Sequence, residues 1–511
     1  MTANLPISQS PNLAPIHSPD FAGVLTALLA QRTPIYIVGG AVRDFLLGRD
    51  GGVTDLDLAL AGPVLPAARR VADRLGWAYY PLDAERDVAR IVLPRENAPH
   101  LVCDLAALRG DLAADLALRD FTINALALEL TGDAPPRLVD LCGGVDDIHA
   151  RRIRAVSSES LAADPIRLLR AVRFAGQLHF DIETETEAQI QRLAPRITET
   201  SPERQRDELW KILSLPRPGQ ALTELHRLGL LVYVLPEAAH LDGVAQSEPH
   251  RLDVLRHTAL VMDYAAKLRD WLTGGDDSLL EPALAGMLTP WRNQLADHFA
   301  QDLVYGRSRA GWLVWHALFH DTGKPACASE EMDETGQRRI RFFGHEDVSA
   351  QLAETRTTEL HFSRRETQVA QAVVTAHMRP HHLLESFADG NISRRACHRF
   401  LRDTAIGGSA DRTGLDVLLL ALADRLAPGK ARGNGWQAYL TGIRTLLEYA
   451  FAPSTINLRP LVDGRKLMQT FDLAPGRLVG SLLESILEAQ AAGDVSNEDE
   501  ALALAADLIR R

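Results

Sequence analysis

Ile35-Tyr36-Ile37-Val38-Gly39-Gly40-Ala41-Val42-Arg43-Asp44, followed by Asp55-Leu56-Asp57-Leu58, decides how this chain is read. Four apolar residues predict a short strand, and the glycine pair predicts a turn. Ala41 to Leu47 predicts the start of a helix. Two glycines let the backbone approach a ligand and expose amide N–H groups to a phosphate. The helix start favours an anion, and Arg43 adds a charge with a forked donor set. Asp55 and Asp57 alternate with Leu56 and Leu58, so a strand here puts both carboxylates on one face. Carboxylates so placed hold hard divalent cations, which clamp the attacking and leaving oxygens in phosphoryl transfer. An isolated Asp-x-Asp reads equally well as a surface turn with two solvated acids. Gly-Gly-x-x-Arg-Asp upstream at this spacing favours the metal.

The head around this stretch predicts a helix over Phe21–Leu29 and strands at Ile35–Val38 and Asp55–Leu60. A helix over Leu65–Leu75 and strands at Ala78–Tyr80, Ala89–Leu93 and Leu101–Leu105 follow. Mixed strands with flanking helices imply an α/β or α+β layer. Asp104 is the one acid in an otherwise apolar strand. It is either a third metal carboxylate or a strand-end acid paired with Arg109. Leu118–Leu126 predicts a helix that Asp120 or Thr122 would cap.

With Arg119-Asp120-Phe121-Thr122-Ile123-Asn124-Ala125 added, the motifs resemble the bacterial tRNA nucleotidyltransferase/poly(A) polymerase family, within the polymerase-β-like nucleotidyltransferases. The resemblance covers about residues 30–500. It implies an α/β (α+β) head followed by all-α neck, HD and tail domains. It further implies Mg²⁺ at Asp55 and Asp57, with Asp104 as a catalytic candidate. Gly39, Gly40 and Arg43 would hold the triphosphate, and Arg119 and Asp120 the sugar and phosphates of the incoming nucleotide. The family carries Arg-Arg-Asp here, and Leu118 replaces the first arginine.

Residues 151–173 carry six arginines against Glu159 and Asp164. In Asp164-Pro165-Ile166-Arg167, the acid and the proline predict a helix start. Asp164 and Arg167 share a helix face. An acceptor beside a donor matches cytosine and adenine, and leaves guanine and uracil with unpaired polar groups. The family uses Glu-Asp-x-x-Arg here as an amino-acid template. Ala163 replaces its leading acid, while the template pair remains. Arg170 and Arg173, in the same arginine-rich stretch, join the expected nucleotide-binding set. Asp140–Asp147, with two adjacent glycines, resembles the family's head-to-neck connector. Glu203–Leu209 resembles a supporting motif on the neck.

From about residue 245 the character changes. His257, His320-Asp321 and Asp424 occur in an order that resembles the HD metal-phosphohydrolases. Imidazoles and carboxylates suit a divalent ion that activates water. His345 and His377 would complete a two-metal version. Such a domain in relatives acts on cyclic or terminal phosphates at RNA ends. Arg394, Arg395, Arg399 and Arg402 form a second basic run, read equally as an RNA path or a solvated face. Leu458–Gly464 resembles a tail that contacts tRNA; its other reading is a packed helix bundle.

Composition bounds these readings. A 511-residue chain holds about three or four domains. No stretch approaches the ~18 apolar residues of a membrane span. The first twenty residues carry no signal-peptide pattern, so a cytoplasmic protein is expected. Cys103, Cys142, Cys327 and Cys397 lie far apart and suggest neither a zinc cluster nor a disulfide scaffold. A net charge of −12 disfavours a general nucleic-acid coat but permits local basic paths.

The expected divisions are a disordered lead at 1–21, a head at 22–150, a neck at 151–245, an HD-type domain at 246–427 and a tail at 428–511, with a linker-like break at Pro428–Gly435. The expected activity is addition of C and A to tRNA 3′ ends from CTP and ATP. Its alternatives are poly(A) addition, a CC-only or A-only activity, and a phosphohydrolase with a degenerate head. Oligomeric state is not legible.

Overall fold

A computed structural model describes residues 19–31, 34–49, 54–95, 100–131, 134–247, 252–332, 336–387, 392–407, 411–427, 435–452 and 460–510. The expected lead up to residue 18, the break at 428–434, and Leu458 and Arg459 of the tail motif lie outside the described residues. The chain divides into two compact units, Met1–Thr200 and Ser201–Arg511.

The first unit is built on a seven-stranded sheet. Its strands are β1 (Ile35–Val38), β2 (Asp55–Leu60), β3 (Ala78–Asp83), β4 (Val88–Leu93), β5 (Leu101–Ala107), β6 (Leu126–Thr131) and β7 (Ala134–Asp140). Their spatial order is β3-β4-β5-β2-β1-β6-β7. β2 and β5 run parallel, and the other neighbours are antiparallel. Along β2 the two aspartates are exposed while Leu56 and Leu58 are buried, as period-two alternation requires. Helices Pro19–Leu29 and Val64–Leu75 accompany the sheet, and an amphipathic helix, Ile166–Leu178, follows it.

One local expectation is corrected. Leu118–Leu126 does not begin a helix. Only Thr122–Asn124 forms a 3₁₀ turn, and Leu126 opens β6, which pairs with β1 in the register Ile37↔Leu128. The alternating leucines of 126–130 find a strand partner, and that pairing outweighs local helix preference. The connector's turn is closed by Asp140. The Asp140 carboxylate accepts from the backbone N–H of Cys142, Gly143, Gly144 and Val145 at 2.8–3.2 Å. A Cβ on Gly144 would fall 2.2 Å from the Thr122 carbonyl oxygen, so this glycine serves close packing.

The second unit is almost entirely helical among the described residues, with two short two-stranded ribbons. Its centre is aromatic: Trp271, Trp312, Trp315, Phe299 and Phe319 are fully buried. Helix Pro202–Leu213 sends Trp210 against Trp312, Trp315 and Phe362. His361 Nδ1 lies 2.6 Å from Glu203 Oε1, and Arg206 donates to the His361 carbonyl at 2.8 Å. The motif at Glu203–Leu209 therefore fastens its helix by packing and pairing.

Candidate active site and metal centre

The loop after β1 builds the first site. Gly39 has φ +76°, a conformation that disfavours a side chain, and it opens helix Gly40–Leu46. A Cβ at Gly39 would lie 3.3 Å from Arg119 Nη1 and 3.5 Å from Asp57 Oδ2. The glycine turn, the second aspartate and Arg119 thus meet at one point. Asp57 faces Asp104 directly across the parallel β2–β5 pair, so Asp104 shares the face of Asp55 and Asp57.

Asp104 does not pair with Arg109. Arg90, opposite it on β4, holds it through two bonds of 2.7 and 2.8 Å. Arg109 goes to Asp115 at 2.8 Å instead. A cavity of about 570 Å³ opens here, lined by Asp57, Asp104, Arg86, Arg109, Asp115 and Arg119 among others. Its size suits a small-molecule ligand.

The electrostatics favour a cation. Desolvation, then the charges of Asp55 and Asp104, push the Asp57 carboxyl up to about 6. Desolvation and Asp104 raise Asp55 as well. Three carboxylates repel one another on one face, with Arg90 and Arg119 as partial compensation. A divalent cation would cancel that repulsion, so the donor set fits Mg²⁺. Arg119 reaches Asp115 at 3.2 Å, while its buried Nε has no hydrogen-bond partner among the described residues.

Other predicted contacts take a different position. Arg43 is 4% exposed. It donates to Asp44 at 2.9 and 3.0 Å and to Asn124 Oδ1 at 2.7 Å. Asn124 in turn donates to Asp120 at 3.1 Å, and Arg170 Nε donates to the other Asp120 oxygen at 2.8 Å. Burial opposes ionisation of Asp120, but Arg170 and Asn124 outweigh it and hold its carboxyl below the usual range. Arg43, Arg170 and Arg173 all lie within 5.3 Å of the Phe174 ring centroid. This chain of bonds, with Arg43 and Asp120 in it, ties the Gly40–Leu46 helix, the 3₁₀ turn and the Ile166–Leu178 helix together. Side-chain pairing decided this, and no motif spacing reveals it.

Arg167 points to the chain ahead of that turn. It donates to the carbonyls of Leu118 at 2.8 Å, Arg119 at 3.2 Å and Ser160 at 2.9 Å. These bonds fix its guanidinium plane. Asp164 is half-buried, and its carbonyl accepts the Arg167 backbone N–H at 3.0 Å.

The second unit brings its predicted residues together from separate helices. His257 lies on Val254–Leu272, His320 ends Arg309–Phe319, and His345 opens His345–Glu359. His377 ends Arg364–Ala376, and Asp424 lies on Thr413–Leu426. Ligand atoms of His257, His320 and Asp321 lie within 4.8 Å of one another, as do those of Asp321, His345 and His377. His257 Nε2 is 3.0 Å from Asp424 Oδ1.

The Nδ1 atoms of His320, His345 and His377 lie 2.6–2.8 Å from the main-chain carbonyls of Ala317, Phe342 and Val374. That bond sets the tautomer, leaving Nε2 for a metal. Burial, then the charges on His320 and His345, push His377 down to about 3. It therefore stays a neutral imidazole. The arrangement fits a divalent ion. Two members escaped the sequence reading. His381 Nε2 is 3.0 Å from Asp424 Oδ2, and Lys324 Nζ is 2.7 Å from Asp321 Oδ2. The i, i+4 spacing from His377 to His381 was the available signal for the first.

The second basic run is a docking face. Arg395, Arg399 and Arg402 converge on Glu488 at 2.5–3.5 Å, and Arg395 also reaches Asp494 at 2.6 Å. This fastens helix Arg394–Thr404 to the tail helix Arg477–Ala492 through solvent-exposed ion pairs.

Comparison with known proteins agrees with this geometry. Residues 35–154 match the poly A polymerase head domain model, residues 179–241 the model described as the RNA- and SrmB-binding site of polymerase A, and residues 456–506 the model of tRNA nucleotidyltransferase domain 2. An A-adding tRNA nucleotidyltransferase of Deinococcus radiodurans is 34% identical over 91% of this chain and 94% of that protein. The chain belongs to the tRNA nucleotidyltransferase family.

Another member, the CC-adding tRNA nucleotidyltransferase of Thermus thermophilus, is 32% identical over 91% of this chain and 92% of its own length. Among solved members of the fold, a CCA-adding enzyme in complex with ATP superposes with a TM-score of 0.65 at 20% identity, with both chains fully covered. The Thermotoga maritima CCA-adding enzyme complexed with tRNA superposes with a TM-score of 0.59 at 19% identity, covering 98% of this chain and 97% of that one. These two similarities establish the polymerase-β-like head followed by helical domains.

Proposed function

We propose that this chain adds C and A to the 3′ end of tRNA from CTP and ATP, releasing pyrophosphate. The observation that carries the reading is the convergence of the Gly39 turn, Arg119 and the Asp55/Asp57/Asp104 face. Asp55 and Asp57 would hold Mg²⁺, which supplies Lewis-acid stabilisation of phosphate charge and a more acidic 3′ hydroxyl. Gly39 and Gly40 leave room for the triphosphate at a helix start. Arg119 brings its Nη1 to the same point. Arg90 orients Asp104 beside the pair. Catalysis by these groups is positioning and charge stabilisation, with no covalent enzyme intermediate.

Asp164 and Arg167 choose the base. With both Nη1 donors and one Nη2 donor held by carbonyls, the Nε–H and the second Nη2–H are left for the shared edge of cytosine and adenine. Leaving a polar edge unpaired rejects guanine and uracil. Arg43, Asp120, Arg170 and Arg173 act as supports behind that pocket. We assign the head to 22–150, the neck to 151–245, the HD-type domain to 246–427 and the tail, with its tRNA contacts, to 428–511. Cysteines without partners suit a reducing cytosol.

A second reading, partial specificity, is favoured by one observation. Four similar proteins that this chain matches over 91–92% of its length are named A-adding or CC-adding. tRNA ending before CCA, and tRNA ending after CC, are incubated with CTP, ATP or both. Two C additions and then one A support full CCA synthesis. C alone or A alone assigns the partial activity, and long A tails assign poly(A) addition.

We infer in addition that the helical unit holds a divalent cation through His257, His320, Asp321 and Asp424, with His345 and His377 serving a second ion. It hydrolyses phosphate esters at RNA ends. The Nε2 atoms of His257, His320 and His345, 3.1–3.6 Å from the Asp321 carboxylate, support this. Release of phosphate from RNA ending in a 3′ phosphate, lost on Asp321→Ala, is the test.

A further inference from the structure

The histidine–aspartate cluster opens into a cavity of about 390 Å³. Asp321, His345 and Asp424 line it, and so do Lys324, Arg339, Arg341 and Phe343. The two arginines belong to a ribbon of strands Ser329–Met332 and Arg338–Arg341. They are two residues apart, so they project from one face of the ribbon. The ribbon is held in place: the Ile340 N–H donates to Ser247 Oγ at 2.6 Å. Next to it, Lys324 donates to Gln246 Oε1 at 2.8 Å and sits 5.3 Å from the Phe342 ring centroid. Phe343 follows and is 72% exposed, a large apolar ring turned out beside a charged cavity.

We propose that Lys324, Arg339, Arg341 and Phe343 form the substrate wall of this second site, selecting a nucleotide that carries a terminal phosphomonoester. The inference rests on the reading of the cluster as a metal-dependent hydrolase. The cavity's acids bear on it. Asp321 and Asp424 are ligands whose charge a cation would offset, while Glu346 and Glu385 lie on the lining and Glu331 faces Arg339 across the ribbon. Glu331 is 3.9 Å from Arg341, too long for a hydrogen bond, so that ion pair is loose. A phosphate offers both arginines a forked acceptor and displaces it. Lys324 stands closest to the metal ligands, and a cation at Asp321 weakens its hold on that carboxylate, freeing it for a phosphate oxygen. Phe343 supplies the flat apolar surface on which a base stacks. Phosphate esters without a base gain only the charged half of this wall.

The ligand chemistry has two sources, a free mononucleotide and the end of an RNA. Calorimetric titration of the full-length protein, with Mg²⁺, Mn²⁺ or Ni²⁺ supplied singly, uses 3′-AMP, a short RNA ending in a 3′ phosphate, and glycerol 2-phosphate. The variants are Arg339→Gln with Arg341→Gln, and Phe343→Ala; thermal melting confirms their fold. The arginine pair is expected to lose about tenfold in affinity for every probe. Phe343→Ala is expected to lose about fivefold or more for 3′-AMP and the RNA, and nothing for glycerol 2-phosphate. Tighter binding of the RNA than of 3′-AMP assigns the RNA end; the reverse assigns the mononucleotide. Where the probes are hydrolysed, KM follows affinity and kcat stays within about twofold.

Hydrolysis with affinities unmoved by the variants overturns the wall and leaves the hydrolase reading standing. Binding that depends on the wall, with no phosphate released under any metal, supports the wall and removes the hydrolase. No binding of any probe overturns the wall.

Discussion

At the scale of single residues, Asp57 decides the behaviour of the head. Its carboxyl is pushed up to about 6 by desolvation and by the charges of Asp55 and Asp104. Below that pH a proton occupies the place a cation needs. The Mg²⁺ affinity measured from incorporation is expected to fall about tenfold per pH unit below about 6 and to level off above it. The sign for stability follows the same shift. The native state holds this proton more tightly than the unfolded chain. The stabilisation is full below the ordinary carboxylate range and is lost as pH rises through about 6. Asp57→Asn is therefore expected to raise the Tm of the metal-free protein at pH 7 while abolishing incorporation. Arg90 draws Asp55 and Asp57 down. With Arg90→Ala, the acid limb of the pH profile is expected to move to higher pH, read in the same titrations.

At the scale of elements, close approach and charge pairing do what patterning leaves open. Gly144 sits where any Cβ would overlap the Thr122 carbonyl. Gly144→Ala is expected to cost about 3 kcal/mol, seen as a lower urea midpoint. The arginines of helix Arg394–Thr404 read from sequence as either RNA path or solvated face, and the structure spends them on Glu488 of the tail helix. Arg399→Ala is expected to leave the salt dependence of tRNA binding unchanged, since that slope counts phosphate contacts. Its stability cost should be about 1 kcal/mol or less, as for other exposed ion pairs. β6 carries the complementary lesson. Leu126, Leu128 and Leu130 alternate, but so short an apolar run fits a helix as well until β1 is known to lie beside it.

At the scale of the whole molecule, two sites of different chemistry stand on two compact units. Asp55→Ala is expected to reduce nucleotide incorporation by at least about a thousandfold and to spare phosphate release. Asp321→Ala is expected to do the reverse, measured on one preparation by primer extension of tRNA and by phosphate release from RNA ends. Loss of both activities in either variant would mean that the two sites are one functional system.

The strands bearing Asp55, Asp57 and Asp104, the glycine turn before them and the order of histidines and aspartates in the second half were all legible in the chain. Each depends on spacing along a strand or on a residue type with one strong preference: alternation sets a face, and a glycine permits a positive φ. The tertiary structure alone decided which partner each charge takes. Arg90 rather than Arg109 holds Asp104, Arg43 reaches Asn124 across the fold, and Lys324 and His381 complete a cluster drawn from seven helices and their ends. Such pairs join residues far apart in sequence, and which of several arginines meets which acid is set by the three-dimensional packing of the elements that carry them.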